Sequence, residues 1–426
     1  MCSELYEVMM NLVNGFPGGH MMRDRDGGLA MAPGRVGDVR RRNLALVLGC
    51  IGPDTRATRA DIATATGLTK ASVSSLVSEL LETGLVEELG VTRAGERGRP
   101  GVGLALSSRP VALGAELNVD YLAVGVVDLH GNLHFHDVAE APNRGRPPGE
   151  VLGELSALAA RCASAAANAG MTLLGGGLAV PGLVDPASGV VLAAPNLEWR
   201  DAELAPALGE LAPQAPFGVV LSNEADSAAL AELWYGHGSA FGAYLYISGE
   251  VGVGGGLVMG SKLFAGPGGH AGEVGHVVVE PGGRRCSCGG RGCLETVAGQ
   301  EAILAAAGIT DGGSTTAARM AALQAALEAG DAQAITAVER AGHYLGIAVA
   351  SAARVVDLSA VVLGGHFAAL SAWIRPALLS SLGGFAPGVI REEAVAFSEL
   401  GTTGALRGAA GAALRRILAA PYALLP

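Results

Sequence analysis

The apolar positions Val73, Leu76, Val77 and Leu80 recur at the three-and-four spacing of one helix face, which predicts a helix over Thr69–Leu81. Ile62, Ala63 and Ala65 begin the apolar face of an earlier helix that Gly67 ends, and Thr69 is placed to cap the second. From Leu85 to Leu106 the pattern reads as a hairpin. Past Ser107-Ser108-Arg109-Pro110, which reads as a linker, the period changes. Val111–Val119 and Tyr121–Leu129 are apolar strands, with a His130-Gly131-Asn132 turn before a third strand over Leu133–Ala139. A helix fits Val151–Ala169, a strand Leu173–Val180, a strand Gly218–Ser222 and a helix Ala225–Tyr235. Strands also fit Ala243–Ser248, Gly254–Met259 and Ala360–Leu363, with helices between the later ones. Strands alternating with helices predict layered α/β sheets, and no short-period repeat is present. Residues 1–38 keep no period and read as a flexible leader, 39–107 as one module, and 111–426 as the α/β part.

Composition sharpens this division. Half of the 426 residues are apolar but only 4% are aromatic, so the core must be packed tightly from small side chains. Net charge is −11, yet Arg40–Arg109 holds ten Lys/Arg against seven Asp/Glu, a basic segment of net +3 on a remainder of −14. A chain this acidic does not bind nucleic acid over its whole surface; a basic module attached to an acidic one does so locally. No apolar run reaches the length of a spanning helix and the start lacks a secretory pattern, so a cytoplasmic protein without a membrane partner is expected. In that compartment clustered cysteines mean metal or redox chemistry.

Two helices joined by a turn at Ala65-Thr66-Gly67-Leu68 match helix-turn-helix geometry. Lys70, Ser72, Ser74 and Ser75, beside Thr69, would face outward from the second helix, where short polar side chains reach base edges and phosphates. Arg93, Arg97 and Arg99 around Gly98 would make the hairpin a wing able to enter a narrow minor groove, and Arg59 would add a further contact. The residues alone leave open a solvated helical hairpin with incidental arginines.

The stretch from Gly272 to Glu295 sets His276, Cys286, Cys288 and Cys293 among glycines. One imidazole and three thiolates complete a tetrahedral structural zinc site. Free cysteines or a Cys286–Cys288 redox pair remain the alternatives at this point. Cys2, Cys50 and Cys162 are isolated and read as core fillers or passengers.

Arg42-Asn43, Arg59-Ala60-Asp61-Ile62-Ala63, Thr66-Gly67-Leu68-Thr69 and Gly98-Arg99-Pro100 resemble the winged helix-turn-helix of ROK proteins, a family of repressors, uncharacterised frames and kinases. Gly269–His276 followed by Cys286-x-Cys288-Gly289-x-x-Gly292-Cys293-Leu294-Glu295 resembles the family signature, and the resemblance covers nearly everything after Arg40. It implies a winged helix-turn-helix followed by a two-lobed α/β domain of the actin/hexokinase type. It also implies zinc on His276, Cys286, Cys288 and Cys293, and a sugar between the lobes. Glu273 and Glu295 would bind its hydroxyls, with His276 facing it through the nitrogen not on zinc, and with Asn223, Glu224 and Asn196 completing the set. Trp199 is read as core.

The same resemblance exposes departures. Where family kinases carry D-x-G-G-T-K, this chain has Glu116-Leu117-Asn118-Val119-Asp120-Tyr121; where they carry G-T-G-x-G, it has Gly249-Glu250-Val251-Gly252-Val253-Gly254. The kinases' N-D-A-N is Asn223-Glu224-Ala225-Asp226 here. Carboxylates at Asp120 and Glu250 would repel a polyphosphate. The expectation is therefore no catalytic residue and a sugar-responsive regulator, more a repressor than an activator, with operator DNA and a free sugar as ligands. Xylose, glucose, N-acetylglucosamine and their phosphates all remain open, with a free sugar favoured because no basic group stands among these residues to receive a phosphate. A homodimer or dimer of dimers is expected, in which lobe closure re-aims paired DNA modules. The alternative is an ATP-dependent sugar kinase with a fused DNA-binding domain.

Overall fold

The computed structural model describes residues 36–52, 56–90, 102–310 and 315–425. Arg93, Arg97, Arg99, Cys2 and nearly all of the expected leader lie outside the described residues.

The N-terminal module is a helix Val36–Gly49, the helix pair Arg59–Thr66 and Lys70–Glu82, and an antiparallel hairpin Val86–Leu89 with Gly103–Leu106, which also pairs with Ala57–Thr58. The Thr58 hydroxyl accepts from the Asp61 amide while Asp61 reaches back to the Thr58 amide, closing a capping box. Gly67 ends that helix in the left-handed region at φ 71°, and Thr69 Oγ1 accepts from the Ser72 amide at 3.1 Å to start the next. Val73, Leu76, Val77 and Leu80 are all buried, each worth about 1.5–3 kcal/mol of transfer free energy. Ala65, expected on the buried face, is exposed. The helix is only two turns long and turns Ile62 and Ala63 inward, which leaves Ala65 on the solvent side.

Two lobes follow. The first holds a five-stranded sheet ordered Val219–Asn223, Thr172–Val180, Pro110–Leu117, Tyr121–Asp128, Leu133–Glu140. The second holds Lys262–Leu263, Val253–Met259, Ala243–Gly249, Ala360–Gly365, Val395–Phe397. In both, an antiparallel meander of three strands comes first in the chain and two parallel strands are added on the other side of its first strand. The lobes thus repeat one topology that the sequence does not display. Pro110–Leu117 is buried at every position because helices cover both faces of its sheet.

The last helix, Gly404–Ala419, lies against that sheet and against helix Glu224–Tyr235. The approach is backbone to backbone. A Cβ on Gly408 would stand 1.7 Å from the Ser227 carbonyl oxygen, and one on Gly177 2.1 Å from that of Ala409. Only glycine allows such contact.

The expected linker Ser107–Pro110 is tied to the elements on either side of it. Ser107 is buried, its amide bonds to the Leu85 carbonyl, and the wing strand runs almost directly into Pro110–Leu117. Leu44, Val47 and Leu48 of helix Val36–Gly49, with Ile51 just past its end, share one apolar cluster with Leu406, Ala410, Leu414 and Ile417 of helix Gly404–Ala419. His130 Nε2 lies 3.1 Å from the Leu106 carbonyl, and the Arg41 guanidinium sits 5.2 Å from the centre of the Tyr422 ring. No described helix is long and apolar enough to cross a membrane.

Candidate functional site

The strands of the two lobes end at a common cleft, a cavity of about 130 Å³ lined from the first lobe by Pro181, Gly182, Asn196, Asn223 and Glu224. The second lobe contributes Ser248, Glu250, Gly252, Glu273, His276, Ser287 and Glu295. Every residue expected to meet a sugar is therefore brought to one cavity. Larger hollows of about 870 and 510 Å³ exist, but they are lined by Arg284, Arg291 and Arg340 and by His237, Arg375 and Phe397, with none of those residues.

Local structure explains each placement. Asn223 ends a parallel strand and caps the helix that follows: its Oδ1 accepts from the Asp226 amide at 3.0 Å and its Nδ2 donates to the Gly182 carbonyl at 2.7 Å. One N–H of that amide is left for a ligand. Asn196 rides on the short turn Pro195–Leu197, between strands of a small three-stranded sheet (Leu183–Asp185, Val190–Ala194, Trp199–Glu203) that no apolar period announced. Trp199 is core, as expected, with its indole N–H on the Arg146 carbonyl at 2.7 Å. Glu295 begins a short helix, and its Oε2 accepts from the Val253 amide at 3.3 Å. Gly252 permits this, since a Cβ there would stand 2.2 Å from that oxygen.

His276, Cys286, Cys288 and Cys293 offer ligand atoms that all lie within 4.8 Å of one another. The Cys286 Sγ–His276 Nδ1 separation is 3.6 Å and Cys288 Sγ–Cys293 Sγ is 3.7 Å. A zinc tetrahedron with ordinary bond lengths has edges of about 3.5–3.8 Å, so the residues fit that ion. Burial, then the neighbouring thiols, push the Cys293 thiol up to about 12 and raise Cys286; the Gly290 amide lowers exposed Cys288. Three crowded thiols ionise together only around a cation. With Nδ1 turned to the thiols, His276 presents Nε2 to the cleft, 3.8 Å from Glu273 Oε2. A metal here would hold Glu273, His276, Ser287 and Glu295 at one wall, as Ser287 and Glu295 already touch at 3.4 Å.

The rest of the lining and the residues behind it are also acidic. Glu224 accepts from Asn118 Nδ2 at 3.2 Å, and Glu116 accepts from the Tyr121 hydroxyl at 2.5 Å. Burial, followed by the charges of Glu116 and Asp120, pushes Glu250 up to about 8. Burial pushes Glu116 up to about 7 against the Tyr121 hydrogen bond. Burial and then Glu116 and Glu250 raise Glu224 well above the usual carboxylate range. Burial, then Glu273, brings Asp226 to about 7, although the sequence suggested no role for it. Sequence reasoning treated Glu250 only as a charge that repels phosphate and missed that it lines the cleft itself. Its place in the glycine-rich turn between two strands was the available signal.

On the DNA module, Lys70, Ser72, Ser74 and Ser75 are exposed along the second helix. The Thr69 and Ser72 hydroxyls lie 2.9 Å apart, and Arg40 from the first helix donates to Ser75 Oγ at 3.2 Å and pairs with Glu79. Arg59 pairs with Glu88 of the wing strand at 2.7 Å, so it braces the wing.

These features define a class: a two-lobed α/β domain with a polar interlobe cleft and a His/Cys3 cluster, joined to a winged helix. The ROK family model matches residues 113–416, and the IclR helix-turn-helix model matches residues 43–90. The chain belongs to the ROK family. It is 33% identical over 262 residues to the xylose repressor of Caldicellulosiruptor bescii, spanning 62% of this chain and 65% of that protein. It is 37% identical over 205 residues to the glucokinase of Halalkalibacterium halodurans, spanning 45% of this chain and 61% of the enzyme. Each match covers less than two thirds of the relative. In fold the chain resembles a solved ROK family transcriptional regulator, described as a homolog of the E. coli MLC protein, at TM-score 0.73 and 24% identity over 91% of this chain and 98% of that one.

Proposed function

We propose that the protein is a sugar-responsive transcriptional regulator, acting as a repressor, that grips operator DNA through its winged helix. A free sugar binds in the interlobe cleft, whose wall is held by a structural zinc on His276, Cys286, Cys288 and Cys293. The observation that carries this reading is Glu250. It occupies the turn where a phosphate-binding hydroxyl is needed, lines the cleft, and is backed by Glu116 and Asp120. Carboxylates at that depth oppose a nucleotide triphosphate. Asn196, Asn223, Glu224, Glu273, His276 and Glu295 remain to hold sugar hydroxyls; Lys70, Ser74 and Ser75, with Arg97 and Arg99 from outside the described residues, are the proposed DNA contacts.

The coupling follows from packing. Helix Glu224–Tyr235 starts at the cleft and lies against helix Gly404–Ala419, whose apolar side is continuous with Leu44, Val47 and Leu48 of the DNA module. A sugar that binds the closed lobes better than the open ones shifts both helices and re-aims the two modules of a dimer. The second reading, an ATP-dependent sugar kinase with a fused DNA module, is favoured by the 37% identity to a glucokinase. Measuring ADP release with a panel of aldohexoses and pentoses separates the two. The regulator reading expects none above background; turnover of about 1 s⁻¹ or faster would defeat it.

A further inference from the structure

The cleft lining has four carboxylates, Glu224, Glu250, Glu273 and Glu295, and no lysine or arginine. Its other titratable side chain, His276, turns Nδ1 to the thiol cluster. Behind the lining stands Glu116, only 2% exposed, whose Oε2 has no hydrogen-bond partner. The electrostatic neighbours that act on Glu224 and Glu250 are acidic: Glu116 and Glu250 on the first, Glu116 and Asp120 on the second. These groups are not loosely placed. Tyr121 and Asn118 fix Glu116 and Glu224, and Glu250 is wedged so close to Gly365 that a Cβ there would stand 2.8 Å from its Oε1.

Hydroxyls of a neutral sugar can donate to carboxylates, but they bring no countercharge. Buried carboxylates that lack a cation are costly, and the cost falls when a ligand supplies one. We propose that the cleft takes a sugar bearing a free, protonated amino group, and that Glu250 is the specificity-determining carboxylate that recognises the ammonium. This deepens the sugar-cleft reading above and rests on it. The ammonium supplies the countercharge that the lining lacks and donates to the carboxylate oxygens of Glu250 and its neighbour Glu224. A sugar phosphate is disfavoured because the lining offers its dianion no lysine or arginine.

The test is isothermal titration of the full chain at neutral pH with glucose, N-acetylglucosamine, glucosamine and magnesium chloride. Glucosamine binds at least about tenfold tighter than glucose and N-acetylglucosamine, and Glu250→Gln narrows that ratio to below about threefold while neutral sugars still bind. Glu250→Asp, which keeps the charge, retains the preference, and the wild-type ratio stands on its own should Glu250→Gln not fold. Neutral sugars binding as tightly as glucosamine would overturn the inference and leave the sugar-cleft reading standing. Binding of no sugar would sink both. Magnesium that binds alone and blocks glucosamine, or a preference undiminished in folded Glu250→Gln, would also overturn it.

Discussion

Replacing Glu250 by Gln removes one ionisable proton from the cleft while keeping shape and hydrogen bonding, so its effect is read in pH. The Glu250 carboxyl sits at about 8, against 4.5 for an unburied glutamate. A carboxyl whose affinity for its proton is raised on folding favours the folded state at low pH and loses that contribution as pH rises from the unfolded value towards the folded one. Between about pH 5 and 8 the folded chain binds more protons than the unfolded one, so stability falls by up to about 1.4 kcal/mol per pH unit for a single such group. Glu116, at about 7, and Glu224 act in the same direction. Thermal melts at pH 6, 7, 8 and 8.5, with zinc and ionic strength held constant, should show wild type losing stability as pH rises. Glu250→Gln should lose less, with the gap between the two widening steadily towards pH 8. Any pH dependence of the metal site is common to both proteins and cancels in the difference. Parallel curves, or a gap that closes towards pH 8, would refute the assignment of an unbalanced buried charge to this position.

Cys286→Ala removes one of four metal ligands; elemental analysis should fall from one zinc per chain to none, and sugar affinity should drop about tenfold or more as the cleft wall loosens. Gly408→Val puts side-chain atoms where the Ser227 carbonyl lies within 1.7 Å of a Cβ; urea unfolding should show a loss of about 3 kcal/mol or more, since neither partner is a flexible side chain. Lys70→Ala should weaken DNA binding and lower the salt slope by about 1, with sugar affinity unchanged in a titration.

Short-range order was readable in advance. The helix over Thr69–Leu81 and its Thr69 cap, the three meander strands after Val111, three of the five strands of the second lobe and the four-ligand spacing are local patterns, and the structure reproduces them within a few residues; the short edge strands Lys262–Leu263 and Val395–Phe397 were not expected. What could not be read was long-range. Leu44 and Leu414 are 370 positions apart, and nothing in either segment announces that both enter one cluster. The Ser107–Pro110 turn carries linker-like residues, but it is fixed by the Ser107 amide and the cores it joins. Asn223 could be marked as a ligand residue, yet not as a helix cap, because capping depends on where the strand stops. Ala65 was misplaced because alanine satisfies either face of a short helix. The repeated sheet topology stayed hidden since each lobe keeps the same strand order with unrelated side chains.

The central claim is that a sugar in the cleft changes the grip on DNA through the two helices behind it. Fluorescence anisotropy of a labelled duplex, selected by the full chain from a random pool, measures that coupling directly when repeated at increasing sugar concentration. The account predicts that the bound sugar weakens the complex by about five- to a hundredfold, saturating at the sugar's own dissociation constant. A sugar that demonstrably fills the cleft and leaves the duplex affinity unchanged would contradict it.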